Sequence, residues 1–78
     1  MSPKLPTISG RKAIAVFENI GYQVVRQKGS HIRLRDDRSP DHKPLTIPDH
    51  KALKPGLLRM LIRDAGLSVE DFVKLIQR

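Results

Sequence analysis

One histidine and three cations fall within the eight residues Lys28 to Arg35, which read KGSHIRLR. Side chains of an extended strand alternate between its two faces. If Ile32 and Leu34 turn toward a core, His31, Arg33 and Arg35 therefore share the open face. Imidazole is the side chain whose ordinary pKa, about 6.5, lies nearest neutrality, which suits it to proton transfer at working pH. Guanidinium groups hold phosphate oxygens by paired, charge-assisted hydrogen bonds, and Lys28 at the preceding turn offers one more phosphate contact. A proton-transfer group beside two arginines on one face fits chemistry on a polyanion.

The other two histidines stand in different settings. His42 lies within Asp36 to Pro44 (DDRSPDHKP), a polar stretch broken by two prolines that reads as a mobile loop with a solvated imidazole. His50 follows Pro48 and Asp49. It either returns to the face of His31, where it is a candidate general acid, or pairs with Asp49 or caps a loop. The three histidines show no metal-ligand spacing with carboxylates of the H-E-x-x-H kind. The scheme needs no metal, and no cofactor is expected.

Composition limits what can carry this chemistry. The chain has 78 residues, with 15 Lys and Arg against 8 Asp and Glu, a formal net charge of +7. That length makes a single domain over residues 1–78. A chain this short buries only about 60% of the surface its unfolded form exposes, so it has one thin core and an open, surface-lying site. There is no cysteine, which removes disulfide scaffolds, thiolate nucleophiles and zinc ribbons and fits a reducing, cytoplasmic setting. The apolar runs are too short to span a membrane, and the first residues lack the apolar region of a signal peptide. The basic excess favours a nucleic acid, an anionic surface or an acidic protein as partner.

The elements that must position these residues follow from apolar spacing. Met1 to Thr7 reads as an extended lead-in. Ala13, Val16, Phe17 and Ile20 mark one face of a helix over Gly10 to Ile20, with Ser9 as N-cap and Gly21 as its stop. Tyr22 to Gln27 and the run from His31 form a hairpin around the tight turn at Lys28, Gly29 and Ser30. Leu45 to Ile47 adds a short third strand. A second helix opens at Gly56, with Leu57 or Leu58, Leu61, Ile62 and Ala65 as its buried stripe. A third starts after Ser68, with an acidic first turn and Val69, Phe72, Val73 and Ile76 at helical spacing. Helix, three-stranded antiparallel sheet, helix and short C-terminal helix make an α+β two-layer domain.

The turn Gly29-Ser30-His31, then Pro48-x-His50, then Leu53-x-x-Gly56-x-Leu58-Arg59, then Arg63-Asp64-Ala65-Gly66-Leu67-Ser68 resemble the HicA-type (YcfA-like) toxins of bacterial type II toxin-antitoxin pairs. The resemblance covers about Ser9 to Ser68. It implies a fold similar to a double-stranded RNA-binding domain and activity as a ribosome-independent mRNA interferase, silenced by a HicB-type antitoxin. It places the catalytic histidine at His31. Two positions depart from the family pattern: Leu57 stands where Thr is usual, and the second strand lacks an aromatic residue a few positions after the histidine.

The residues alone support the same chemistry. RNA carries its own nucleophile, the 2′-hydroxyl, so cleavage to a 2′,3′-cyclic phosphate needs a base, a cation for the phosphorane charge, and an acid for the leaving oxygen. His31 suits the first role. Lys28, Gly29, Ser30, Arg33, Arg35 and His50 are the expected RNA contacts, and the acid is left open among His50, a lysine and water. With one Tyr and two Phe, both Phe on core stripes, little remains for base stacking, so broad cleavage of single-stranded RNA is expected. Two other classes compete: a noncatalytic RNA-binding module of the same layout, and a basic adaptor for an acidic protein. A binding module keeps its function without His31, whereas an adaptor neither binds nor cuts RNA.

Overall fold

The computed structural model describes residues 5–77. The first four residues of the expected lead-in lie outside that part, and residues 5–7 have no regular secondary structure. Ser9 caps helix α1 (Gly10–Glu18), its hydroxyl oxygen accepting the Lys12 N–H at 3.0 Å. The helix ends two residues before the expected Ile20, because Asn19 to Gly21 already form the turn into the sheet. Strands β1 (Gln23–Lys28), β2 (His31–Arg35) and β3 (Leu45–Pro48) pair antiparallel in the order β1-β2-β3. Helix α2 (Pro55–Asp64) and helix α3 (Val69–Ile76) complete the chain. The α+β arrangement expected from apolar spacing is thus the observed one.

The core lies between β2 and β3 and the helices. Ile32 and Leu34 of β2 and Leu45 and Ile47 of β3 are buried against Ala13, Val16 and Phe17 of α1 and Leu58, Leu61 and Ile62 of α2. Helices α1 and α2 both pack on β3, while α3 packs on α1 and α2. Phe72 supplies that last contact: it is fully buried, with its ring centroid 5.4 Å from that of Phe17, which in turn packs edge-to-face with Tyr22 at 5.8 Å. The start of α3 is a reciprocal capping box, in which Ser68 Oγ accepts the Asp71 N–H and the Asp71 carboxylate accepts the Ser68 N–H. No helix is long and apolar enough to cross a membrane among the described residues.

The connection between β2 and β3 differs from the expected mobile loop. Asp36 is buried, and its carboxylate lies 3.0 Å from Nδ1 of His42 and accepts the Arg38 N–H at 3.1 Å. The His42 ring stacks on Tyr22, with centroids 4.9 Å apart and planes 13° from parallel, and its side chain is only 18% exposed. Tyr22 in turn donates its hydroxyl proton to the Lys43 carbonyl at 2.8 Å, and the Lys43 N–H donates to the Asp64 carbonyl. His42 is therefore a packing residue and not a solvated one. Its polar neighbours in sequence masked a stacking partner that lies in another element.

Burial alone would raise the Asp36 pKa, but the His42 hydrogen bond, the Arg38 N–H and the nearby positive charges outweigh it and hold the carboxyl below its usual range. The Tyr22 phenol moves the other way, pushed up to about 12 by burial and by the negative charges of Asp36 and Asp64.

Candidate functional site

The helices cover one face of β2 and β3 and leave the other face of the sheet open. On β2 the burial alternates strictly: His31, Arg33 and Arg35 are exposed, and Ile32 and Leu34 are buried. Gly29 takes φ +60° in the two-residue turn that joins β1 to β2. That left-handed conformation suits glycine, which has no Cβ to clash. The turn fixes the register, so Lys28 pairs with His31 and Arg26 with Arg33. A bulge between Val24 and Arg26 then sets Val24 opposite Leu34 and Gln23 opposite Arg35. The bulge leaves Val25 on the open face, where regular pairing would have turned it toward the helices.

The result is a shallow groove of about 650 Å³ lined by Val25, Arg26, Lys28, His31, Arg33, Arg35, Asp37 and Thr46. It gathers one imidazole, four cations and one carboxylate. Arg33 Nη1 donates to Thr46 Oγ1 at 2.9 Å, which orients the guanidinium without neutralising it. Arg35 is instead paired with Asp37 at 3.2 Å. Among the described residues no carboxylate lies within ion-pair distance of Arg26, Lys28 or Arg33.

Of the residues expected at the site, Lys28, His31, Arg33 and Arg35 meet in the groove. Gly29 and Ser30 form its turn, and the Ser30 carbonyl accepts the Asp49 N–H at 2.7 Å. His50 does not line the groove. Its carbonyl accepts the Gly10 N–H at 2.9 Å, and Asp49 pairs with Arg11 rather than with His50, through two contacts of 3.0 and 3.2 Å. The loop after β3 is thus tied both to the start of α1 and to the turn before His31.

Sequence reading missed Arg26, Thr46, Val25 and Asp37. Extending the first strand by one residue to Lys28 would have found Arg26, since a two-residue turn then sets it opposite Arg33. Thr46 sits on the third strand, whose register nothing local announces. Tyr22, buried at 2% exposure, joins both Phe in the core, which leaves the groove without an aromatic ring.

An open sheet face sets one histidine among four cations, of which only Arg35 has a carboxylate partner among the described residues, in a small α+β domain. The model of the family described as "HicA toxin of bacterial toxin-antitoxin" matches residues 10–67 of this chain. The chain belongs to the HicA toxin family, the toxin side of bacterial toxin-antitoxin systems. The match runs from the first residue of α1 through the end of α2, so it includes the whole groove and leaves α3 outside. Neither a curated protein nor a solved structure matches the chain.

Proposed function

We propose that this toxin is a metal-independent endoribonuclease that cuts mRNA, with His31 as general base, and that a HicB-type antitoxin holds it inactive. The observation that carries the reading is a single exposed imidazole in a groove whose other charged groups are mainly cations. In the proposed step an imidazole nitrogen of His31 takes the 2′-hydroxyl proton, the 2′-oxygen bonds to the adjacent phosphorus, and the bond from phosphorus to the 5′-oxygen breaks. The products are a 2′,3′-cyclic phosphate and a 5′-hydroxyl, the latter protonated by Lys28 or by water. Lys28 is the side-chain candidate because it pairs with His31 across the ladder, whereas His50 lies outside the groove. Ser30 contributes through its carbonyl, which anchors the turn to the loop after β3.

An antitoxin that offers acidic side chains to this groove would exclude RNA and gain favourable charge complementarity. The shortage of stacking groups fits broad cleavage of single strands.

The test is cleavage of a purified mRNA in EDTA by the wild type, His31→Ala and His31→Gln, with RNA binding measured in parallel. Loss of a general base lowers the rate by about 10²- to 10⁴-fold while leaving binding in place. Binding without cleavage by the wild type would make the protein a noncatalytic RNA-binding module. Neither binding nor cleavage at physiological salt would leave an adaptor for an acidic protein.

A further inference from the structure

We propose that the cross-strand pair Arg26 and Arg33 is a two-guanidinium subsite for one phosphate of the RNA, the one next to the phosphate that is cut. The inference rests on the reading of the groove as an RNA site and assigns how that RNA lies in it. Like charges directly opposite each other on neighbouring strands destabilise a sheet. Arg26 and Arg33 are such a pair, and among the described residues neither has a carboxylate partner. Among the described residues, the one side-chain hydrogen bond that orients either of them, from Arg33 to the neutral Thr46 hydroxyl, leaves the charge uncompensated. A phosphate bridging the two guanidinium groups supplies the missing negative charge and accepts from both planar forks.

Position along the strand names which phosphate. Residues on one face of a strand recur about every 6.7 Å, twice the rise per residue. That distance is close to the separation of successive phosphates in an extended single strand. With the cut phosphate between His31 and Lys28, the next one along β2 falls between Arg33 and Arg26. Arg35, one step further, already has Asp37 at 3.2 Å, so its pull on an anion is weaker. Val25, half exposed beside Arg26, offers an apolar surface to the intervening sugar or base without selecting among bases.

The experiment uses the full chain carrying His31→Ala, so that RNA stays intact, and a short single-stranded oligoribonucleotide of mixed sequence. Binding is followed by fluorescence anisotropy against salt concentration. It is repeated with Arg26→Gln, Arg33→Gln, both together, and Arg35→Gln. Each phosphate contact on a single strand contributes about 0.7 to the slope of log K against log salt. If Arg26 and Arg33 share one phosphate, the double variant loses about 0.7 in all and not twice that, and Arg35→Gln loses less. Both single variants also melt higher than their parent at low salt, with a difference that shrinks as salt screens the pair.

An unchanged slope in the double variant, or a double loss equal to two full contacts, overturns the shared subsite while leaving the RNA site standing. A lower melting temperature of the single variants at low salt overturns the argument from like-charge repulsion. Absence of RNA binding by the parent removes the function proposed above, and the subsite with it.

Discussion

Replacing Gly10 by alanine should destabilise the protein although it places a better helix former at the first residue of a helix. A Cβ at Gly10 would stand 2.0 Å from the Pro48 carbonyl oxygen, whereas real contacts of this kind stay at 3.0 Å or more. The two segments must therefore separate by about 1 Å. The obstacle is backbone that cannot easily yield. Pro48 is paired with His31 in the sheet, and the next residue donates to Ser30 at 2.7 Å. Separation by that amount carries the Gly10 N–H···O His50 bond, now 2.9 Å, beyond hydrogen-bonding range.

Overpacking costs about 1–3 kcal/mol and the lost hydrogen bond about 1 kcal/mol, against a helix-propensity gain of about 0.5–1 kcal/mol, for a net loss near 2 kcal/mol. In a domain of this size that lowers Tm by roughly 8–16 °C. Thermal and urea melting followed by circular dichroism measure it. Gly56→Ala is the matched control: it lies in α2 with nothing within 4 Å of the added Cβ, so it should raise stability by up to about 1 kcal/mol. If both variants shifted in the same direction, the argument from close approach would be wrong. On the proposed function, cleavage by Gly10→Ala should fall as well, because the displaced loop is what the Ser30 carbonyl is bonded to.

Four further outcomes follow from the packing and from the charges around Asp36. Phe72→Ala should cost about 3–5 kcal/mol by leaving a cavity against Phe17. That is a large part of the roughly 4–12 kcal/mol expected for a chain of this length. Deleting Leu67 to Arg78 removes the same contact, and a truncated chain that melts like the full one would refute a structural role for α3. Tyr22 has its pKa raised from 10.0 to about 12, so the folded state keeps a proton that the unfolded chain releases. Its contribution is whole below pH 10 and is lost as pH rises toward 12. Tyr22→Phe keeps the ring stacks, loses about 1 kcal/mol at neutral pH with the hydrogen bond to Lys43, and should lack that alkaline component in a pH series of urea melts. Asp36 has its pKa lowered from 3.8, so its contribution is present above that pH and is lost as pH falls through the lower folded value. Asp36→Asn should be the less stable protein at neutral pH and should converge on the wild type in acid. Parallel curves at all pH values would show that the carboxylate is not the titrating group.

Local pattern determined a good deal of this protein. The 3.6-residue spacing of Ala13, Val16 and Phe17, of Leu58, Leu61 and Ile62, and of residues 69–76 specifies three helices, because an apolar stripe is buried only if the chain coils to align it. The alternation of His31 to Arg35 specifies a strand with its charged residues on one face, and those residues reached the open side of the sheet. The place of His31 on that face was legible too, since a histidine after a glycine turn and ahead of two arginines is a local pattern; its role as base is the proposal made above.

The tertiary structure alone decided which residues stand beside one another. Arg26 meets Arg33 only through a hairpin register, and Val25 turns to the groove only because of a bulge. Thr46 reaches Arg33 from a strand 13 residues away, and His42 exchanges solvent for the ring of Tyr22. Gly10 looks like an ordinary helix start until the backbone of Pro48 lies against it. Periodicity encodes which face of an element each side chain takes. It does not encode what the neighbouring element brings to that face, and the charge balance of the groove depends on those neighbours.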